Sequence, residues 1–218
     1  MNNTIDVLQS ISILPYKSPR KETVRCYARR FNCFPVDELT QLAQKILDSP
    51  YLGTSQLSDG FASTQGFSVI FRKEGIPTVI EHFPELSTYL NTALKSLCNA
   101  FYLNILILTE GSCVTEHIDC SICEYFQELV SPRLVSVLYV QVPEDMQGGQ
   151  LVLSLDSEEI AIIKPQENML LHFLGSLTHR VQSVQASQPR ISIVCEQYHL
   201  EEEWLVQVPH FAIKSGAL

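Results

Sequence analysis

Three side chains in this sequence have the types and spacing of a metal-binding set. In the run Val114-Thr115-Glu116-His117-Ile118-Asp119-Cys120 an imidazole and a carboxylate stand two positions apart. On a strand, positions i and i+2 share a face, so both side chains would point into the same space. A second histidine, His179, lies far downstream in Leu177-Thr178-His179-Arg180-Val181, and Arg190 follows it. Two histidines and one carboxylate on one side of an ion leave coordination positions open, which is what a ferrous centre needs if oxygen and substrate are to enter. If Arg190-Ile191-Ser192-Ile193-Val194-Cys195 is a strand, Arg190 and Ser192 share one face and Ile191, Ile193 and Cys195 the other. A guanidinium and a hydroxyl pointed into an apolar interior call for an acid, since an unpaired buried arginine is costly. That acid belongs either to the protein or to a ligand.

His117 has a competing use. Cys113, His117, Cys120 and Cys123 are four zinc-type ligands in a short stretch, with a Cys-x-x-Cys at its end. A structural zinc there would leave His179 and Arg190 unexplained. Taken singly, a histidine beside apolar residues is ordinarily a core residue and an arginine ordinarily a surface one; it is their joint spacing that points to a site. His82, His172, His199 and His210 have no partners at metal spacing and read as structural or surface residues.

The elements that must position these residues are strands. Leu103–Leu108, Leu134–Val142, Leu151–Leu155, Glu159–Ile163, Met169–Phe173, Val181–Val184 and Ile191–Tyr198 are short β-prone runs, separated by turn signals such as Ser131-Pro132 and Gly148-Gly149. Helices precede them. Leu39, Leu42, Ala43, Ile46 and Leu47 recur at helical spacing between Pro35 and Asp48-Ser49-Pro50. Leu86, Tyr89, Leu90, Ala93, Leu94 and Leu97 form a second stripe between Pro84 and Ala100. Phe67, Val69 and Phe71 suggest a strand, 51–66 a loop, and 1–34 a loose leading segment with one short strand. The pattern predicts an α+β protein, a double-stranded β-helix (jelly roll) braced by N-terminal helices. Its organisation is 1–100 as a bracing segment of the same domain, 101–200 as the jelly-roll core, and 201–218 as a surface element around Trp204.

With 218 residues, 45 % of them hydrophobic and 18 % charged, the chain can fill a core and is not globally disordered. A net charge of −9 gives no overall attraction to nucleic acid or to an anionic membrane. The local exception is a basic cluster, Lys17, Arg20, Lys21, Arg25, Arg29 and Arg30. Seven scattered cysteines read as reduced thiols, and no signal-peptide pattern or membrane-length apolar run is visible, so a cytoplasmic location is expected.

From His117 to Ser192 the sequence resembles the Fe(II)- and 2-oxoglutarate-dependent dioxygenases, in particular their prolyl 4-hydroxylase-like branch. The resemblance implies that His117, Asp119 and His179 are the iron ligands and catalytic centre, and that Arg190 with Ser192 holds the far carboxylate of 2-oxoglutarate. Gly148-Gly149-Gln150-Leu151 stands where the family often has Gly-Gly-Glu-Leu, and Pro165 to Phe173 leads towards His179. Three positions depart from the pattern. Glu167-Asn168 replaces a glycine turn, which asparagine tolerates because it accepts positive φ. The tyrosine before His-x-Asp has no counterpart in Leu106-Ile107-Leu108-Thr109, which leaves Tyr139 or Tyr102 as its substitute at the cosubstrate. Cys120 follows the metal aspartate directly.

The implied cofactors are Fe(II), 2-oxoglutarate as cosubstrate, and ascorbate as an optional auxiliary. The implied reaction hydroxylates an unactivated C–H bond with molecular oxygen while 2-oxoglutarate becomes succinate. Asp119 favours hydroxylation, because related halogenases lack the carboxylate. The substrate would be a peptidyl proline, an amino acid or another small molecule, with neither nucleic acid nor membrane as partner. The alternative is a non-catalytic jelly-roll binding module with a structural zinc on Cys113, His117, Cys120 and Cys123.

Overall fold

The strand that carries His117 is unusually long, Ala100–His117, and in the computed structural model it links the two layers of a curled sheet. The structure describes residues 16–17, 23–24, 26–54, 61–126 and 128–215. In chain order the main elements are β1 (Tyr27–Phe31), α1 (Val36–Leu47), β2 (Phe61–Arg72), α2 (Ile76–His82), α3 (Ser87–Ala93), β3 (Ala100–His117), β4 (Leu134–Gln141), β5 (Leu151–Leu155), β6 (Glu158–Ile163), β7 (Met169–Leu174), β8 (Thr178–Val181), β9 (Arg190–Tyr198), α4 (Glu202–Leu205) and β10 (Phe211–Ser215). The strand order is β6-β5-β8-β3-β9-β4-β7-β1, with β2 paired to β3 and β10 paired to β2.

Period-two alternation sorts β3 and β9 between two cores. Phe101, Leu103, Ile105 and Ile107 of β3, with Ile191, Ile193 and Cys195 of β9, share a buried cluster with the apolar stripes of the helices, including Leu39, Leu42 and Ile46 of α1 and Leu90 of α3. Leu106 and Leu108 face the other way. They join Val137, Tyr139, Leu151, Leu153, Leu171 and Phe173 in the cluster between the layers. The first half of β3 pairs with β9, from Ala100 opposite Tyr198 to Leu108 opposite Arg190. Its last residues pair with β8 instead, His117 opposite His179 and Val114 opposite Val181. Gly111, at φ 81°, lies where the strand leaves one partner for the other. This change of partner carries the chain from one layer of the jelly roll to the other.

Several boundaries differ from those the sequence suggests. β2 and β3 are longer than predicted, because the polar start of β2 is held by pairing with β3, Phe61 and Ala62 opposite Val114 and Cys113 and Thr64 to Gly66 opposite Leu108 to Leu106, with a register shift that passes over 109–112. The second helical stripe ends at Ala93, and Leu97 is exposed; the turn that follows leads into β3. A further short helix, α2, has Pro77 in its first turn, where a missing N–H costs nothing. The C-terminal stretch adds a strand, β10, along β2, and Trp204 packs on Phe126 with ring centroids 5.0 Å apart. Arg20, Lys21 and Arg25 of the basic cluster lie outside the described residues. No helix among the described residues is long and apolar enough to cross a membrane.

Candidate metal centre

The end of β3 and the whole of β8 place two imidazoles side by side. His117 and His179 are direct cross-strand partners, with ring centroids 4.3 Å apart. Asp119 lies just beyond β3 and is buried. His117 Nε2 is 3.2 Å from Asp119 Oδ1, and His179 Nε2 is 3.5 Å from Asp119 Oδ2. One ligand atom from each of the three lies within 4.8 Å of the others.

Backbone carbonyls set the orientation of both rings. His117 Nδ1 is 2.9 Å from the carbonyl of Thr115, and His179 Nδ1 is 3.2 Å from that of Leu177. A carbonyl can only accept, so each Nδ1 carries the hydrogen and each Nε2 turns towards Asp119. Neutral Nε2 lone pairs facing carboxylate oxygens repel unless a cation stands between them. A proton can play that part. Burial works against the charged form of His117, yet the hydrogen bond and charge of Asp119 outweigh it and raise the pKa of the ring. Burial would likewise raise Asp119, but His179 and His117 hold its carboxyl below the usual range. His179 is more enclosed, and burial, opposed by Asp119 and reinforced by His117, lowers its pKa. The trio is therefore a converging set of N and O donors that favours any cation placed among them.

The three residues line a cavity of about 320 Å³ that also reaches Tyr139, Arg190 and Glu196. Arg190 is 2 % exposed, and its Nη1 donates to the carbonyl of Gly149 at 2.8 Å. Its Cζ lies 5.4 Å from the ring centroid of Tyr139. Its Nε has no hydrogen-bond partner, and no acid among the described residues forms an ion pair with it. Burial lowers its pKa, as expected of a cation without an anion beside it. The Gly148-Gly149 pair is what lets the backbone approach: φ is 72° and 68°, and a Cβ at Gly148 would lie 1.9 Å from the Ser183 carbonyl oxygen.

Other predicted positions fall on either side of this cavity. Tyr139, not Tyr102, stands beside Arg190; Tyr102 packs in a separate cluster. Ser192 is fully buried with its Oγ unpartnered, but it does not reach the cavity wall; the pairing of β9 with β4 shifts register between Ile191 and Ser192. Asn168 takes the turn at φ 61°, and its side chain bonds both the N–H and the carbonyl of Phe34. The zinc set is not assembled. Among the described residues the His117, Asp119, His179 trio is the group of three or more ligand-type side chains close enough for one ion, and Cys113, Cys120 and Cys123 do not join it. Cys113 and His117 are four positions apart along one strand, which separates them by about 13 Å, and Cys123 Sγ accepts from the Val130 N–H. Buried His172 bonds the Ala93 carbonyl, and burial with nearby Lys95 pushes its pKa down to about 4, as befits a structural ring. The residue missed in the sequence is Glu196. Its signal was parity: it lies on the same side of β9 as Arg190.

Residues 102–195 match the model of the 2OG-Fe(II) oxygenase superfamily. The match spans 94 of the 218 residues and supports a 2-oxoglutarate-dependent oxygenase. No curated protein matches it by sequence. Among solved structures, a Pseudomonas putida prolyl-4-hydroxylase is similar at 19 % identity and TM-score 0.54, over 80 % of this chain and 93 % of that one. A Trichoplax adhaerens prolyl hydroxylase, solved with a hypoxia inducible factor oxygen degradation domain peptide fragment, is similar at 17 % identity and TM-score 0.57, over 83 % and 86 %. A 2OG-Fe(II) oxygenase family oxidoreductase from Burkholderia pseudomallei is similar at 12 % identity and TM-score 0.55, over 80 % and 86 %. At these identities the likeness is one of fold.

Proposed function

We propose that the protein is an Fe(II)- and 2-oxoglutarate-dependent hydroxylase in which His117, Asp119 and His179 hold the metal and Arg190 holds the far carboxylate of 2-oxoglutarate. The observation that carries this reading is the meeting, in one cavity, of a converging His-Asp-His donor set and a buried arginine whose Nε has no partner. The donor set suits a cation, and the orphaned guanidinium suits an anion that comes from a ligand. Bound there, iron and 2-oxoglutarate would supply oxygen activation and oxidation of a C–H bond, with 2-oxoglutarate ending as succinate and carbon dioxide.

The chain's own residues do the positioning. The carbonyls of Thr115 and Leu177 keep the two imidazoles with Nε2 inward, and Asp119 contributes the anionic ligand. Tyr139 forms a flat wall against the Arg190 guanidinium and limits where a carboxylate can sit. Leu106, Val137, Leu151 and Phe173 give the cavity an apolar lining that excludes water. The substrate class is a peptidyl proline, an amino acid or another small molecule, the first supported by the fold likeness to prolyl hydroxylases.

The test is succinate formation from 2-oxoglutarate with Fe(II) and oxygen, measured across a panel of prolyl peptides and free amino acids. Substrate-stimulated succinate that disappears in Asp119→Ala is the expected result. Equal succinate from wild type and Asp119→Ala would refute the assignment.

A further inference from the structure

Glu196 is a carboxylate buried in the wall of the cavity, and the metal centre and cosubstrate dock leave it unused. It is 4 % exposed. The Ser121 N–H donates to its Oε2 at 3.0 Å, the Ser121 hydroxyl to Oε1, and the Tyr198 hydroxyl to Oε2. These three donors hold the group still without neutralising it. No lysine or arginine among the described residues forms an ion pair with it. Burial and the nearby charge of Asp119 push its pKa up to about 8, the expected response of a carboxylate enclosed without a cation.

Its place along β9 defines what it can do. Arg190 and Glu196 lie on the same side of that strand six positions apart, so their backbones are separated by about 20 Å, one at each end of the cavity. Glu196 is tied through Ser121 to the segment that carries Asp119, which puts it at the metal end, away from the guanidinium. Asn104, also in the cavity wall, is directly opposite Val194 on the neighbouring strand and so diagonal to Glu196. The end of the cavity remote from the cosubstrate dock is thus polar and acidic.

Charge counting gives the sign of the missing partner. On the function proposed above, a ferrous ion, the Asp119 carboxylate, the doubly charged cosubstrate and the Arg190 guanidinium sum to zero. Glu196, whose pKa of about 8 keeps it protonated at neutral pH, adds no charge to that sum, and a cationic nitrogen entering beside it would take the place of its proton and leave the site neutral overall. We propose that Glu196 is a specificity-determining residue and that the substrate places a cationic nitrogen, an ammonium or guanidinium, against it. This inference rests on the proposed function, because the cosubstrate is part of the charge count. A primary substrate at this end would have its carbon chain between Glu196 and the metal centre, flanked by Val194 and Ile118.

The experiment uses the protein loaded anaerobically with Fe(II) and 2-oxoglutarate. Lysine and arginine, and their N- and C-capped forms, are compared with the neutral isosteres norleucine and citrulline. Binding is read from the perturbation of the metal-to-cosubstrate absorption band, and coupled turnover from succinate after oxygen is admitted. A cationic member is expected to bind more tightly than its neutral isostere by on the order of tenfold or more, and Glu196→Gln is expected to erase that preference. Glu196→Gln keeps the size of the side chain and its bond to Ser121, and its circular dichroism and melting profile establish that it is folded. If it is not, Tyr198→Phe, which releases one donor from the carboxylate, must still shift cation binding. Neutral isosteres that bind as well as the cations, no cation that binds at all, or a preference retained in Glu196→Gln would each overturn the inference. Absence of the absorption band before any amine is added would instead defeat the underlying functional reading, and this inference with it.

Discussion

Arg190→Met gives two opposite predictions that arise from a single feature. The guanidinium is 2 % exposed and has one hydrogen bond, to Gly149, one aromatic neighbour, Tyr139, and a bare Nε. Among the described residues it is a buried charge without a counter-ion, and replacing such a charge with an apolar side chain of similar length is neutral or stabilising by about 1–4 kcal/mol. In the ligand complex the same guanidinium would form a desolvated ion pair, whose loss costs about 2–5 kcal/mol, or roughly 30- to 5000-fold in 2-oxoglutarate affinity. The assay is thermal melting with a redox-inert divalent metal, with and without 2-oxoglutarate. At a hundredfold excess over the dissociation constant, wild type should gain about 2.7 kcal/mol, or roughly 5–11 °C in a chain of this size. Arg190→Met should start as stable as wild type or more so, gain nothing from 2-oxoglutarate, and keep its metal affinity. A variant that loses stability without ligand, or that loses metal and 2-oxoglutarate equally, would show that Arg190 is structural and that the dock lies elsewhere.

Three further outcomes follow from the same geometry. Asp119→Ala should weaken divalent-metal binding in equilibrium dialysis by more than the roughly 10- to 100-fold that loss of an outer partner costs, and the His117 resonances should titrate at lower pH once the carboxylate that raises that ring is gone. Glu196 has its folded pKa, about 8, above the ordinary glutamate value, so its contribution to stability is complete below that ordinary value and is lost as pH rises through about 8; urea melts should show wild type losing more stability than Glu196→Gln between the two limits. Gly148→Ala, at φ 72° and with a Cβ 1.9 Å from the Ser183 carbonyl oxygen, should cost about 1–3 kcal/mol in urea unfolding and should displace the Gly149 carbonyl that accepts from Arg190.

What was legible in the sequence was legible for physical reasons. The His-x-Asp spacing and the Arg-x-Ser alternation each depend on the strict period of a strand, and α1 on the period of a helix with clear stops. The jelly roll followed from the density of short apolar runs after residue 100. What was hidden depended on tertiary pairing. The strand predicted over Leu103–Leu108 runs on through Thr109-Glu110-Gly111-Ser112 to His117, an 18-residue strand, because β3 changes partners there. Leu94 and Leu97 continue a helical stripe in sequence, but the chain leaves the helix at Ala93 to enter β3. Ser192 shares its strand parity with Arg190, Val194 and Glu196 but is not among the residues that line the cavity with them. Glu196 went unnoticed because a single acid in an apolar strand usually faces solvent. Only the closure of the two layers turned it inward.

The central claim is that His117, Asp119, His179 and Arg190 together bind Fe(II) and 2-oxoglutarate. Its most direct test is the visible absorption of the protein under strict anaerobiosis as Fe(II) and then 2-oxoglutarate are added. A charge-transfer band is expected that appears only with both present, that saturates at one equivalent of each, and that is absent in Asp119→Ala. No band with wild type, together with stoichiometric zinc retained on Cys113, His117, Cys120 and Cys123, would contradict it.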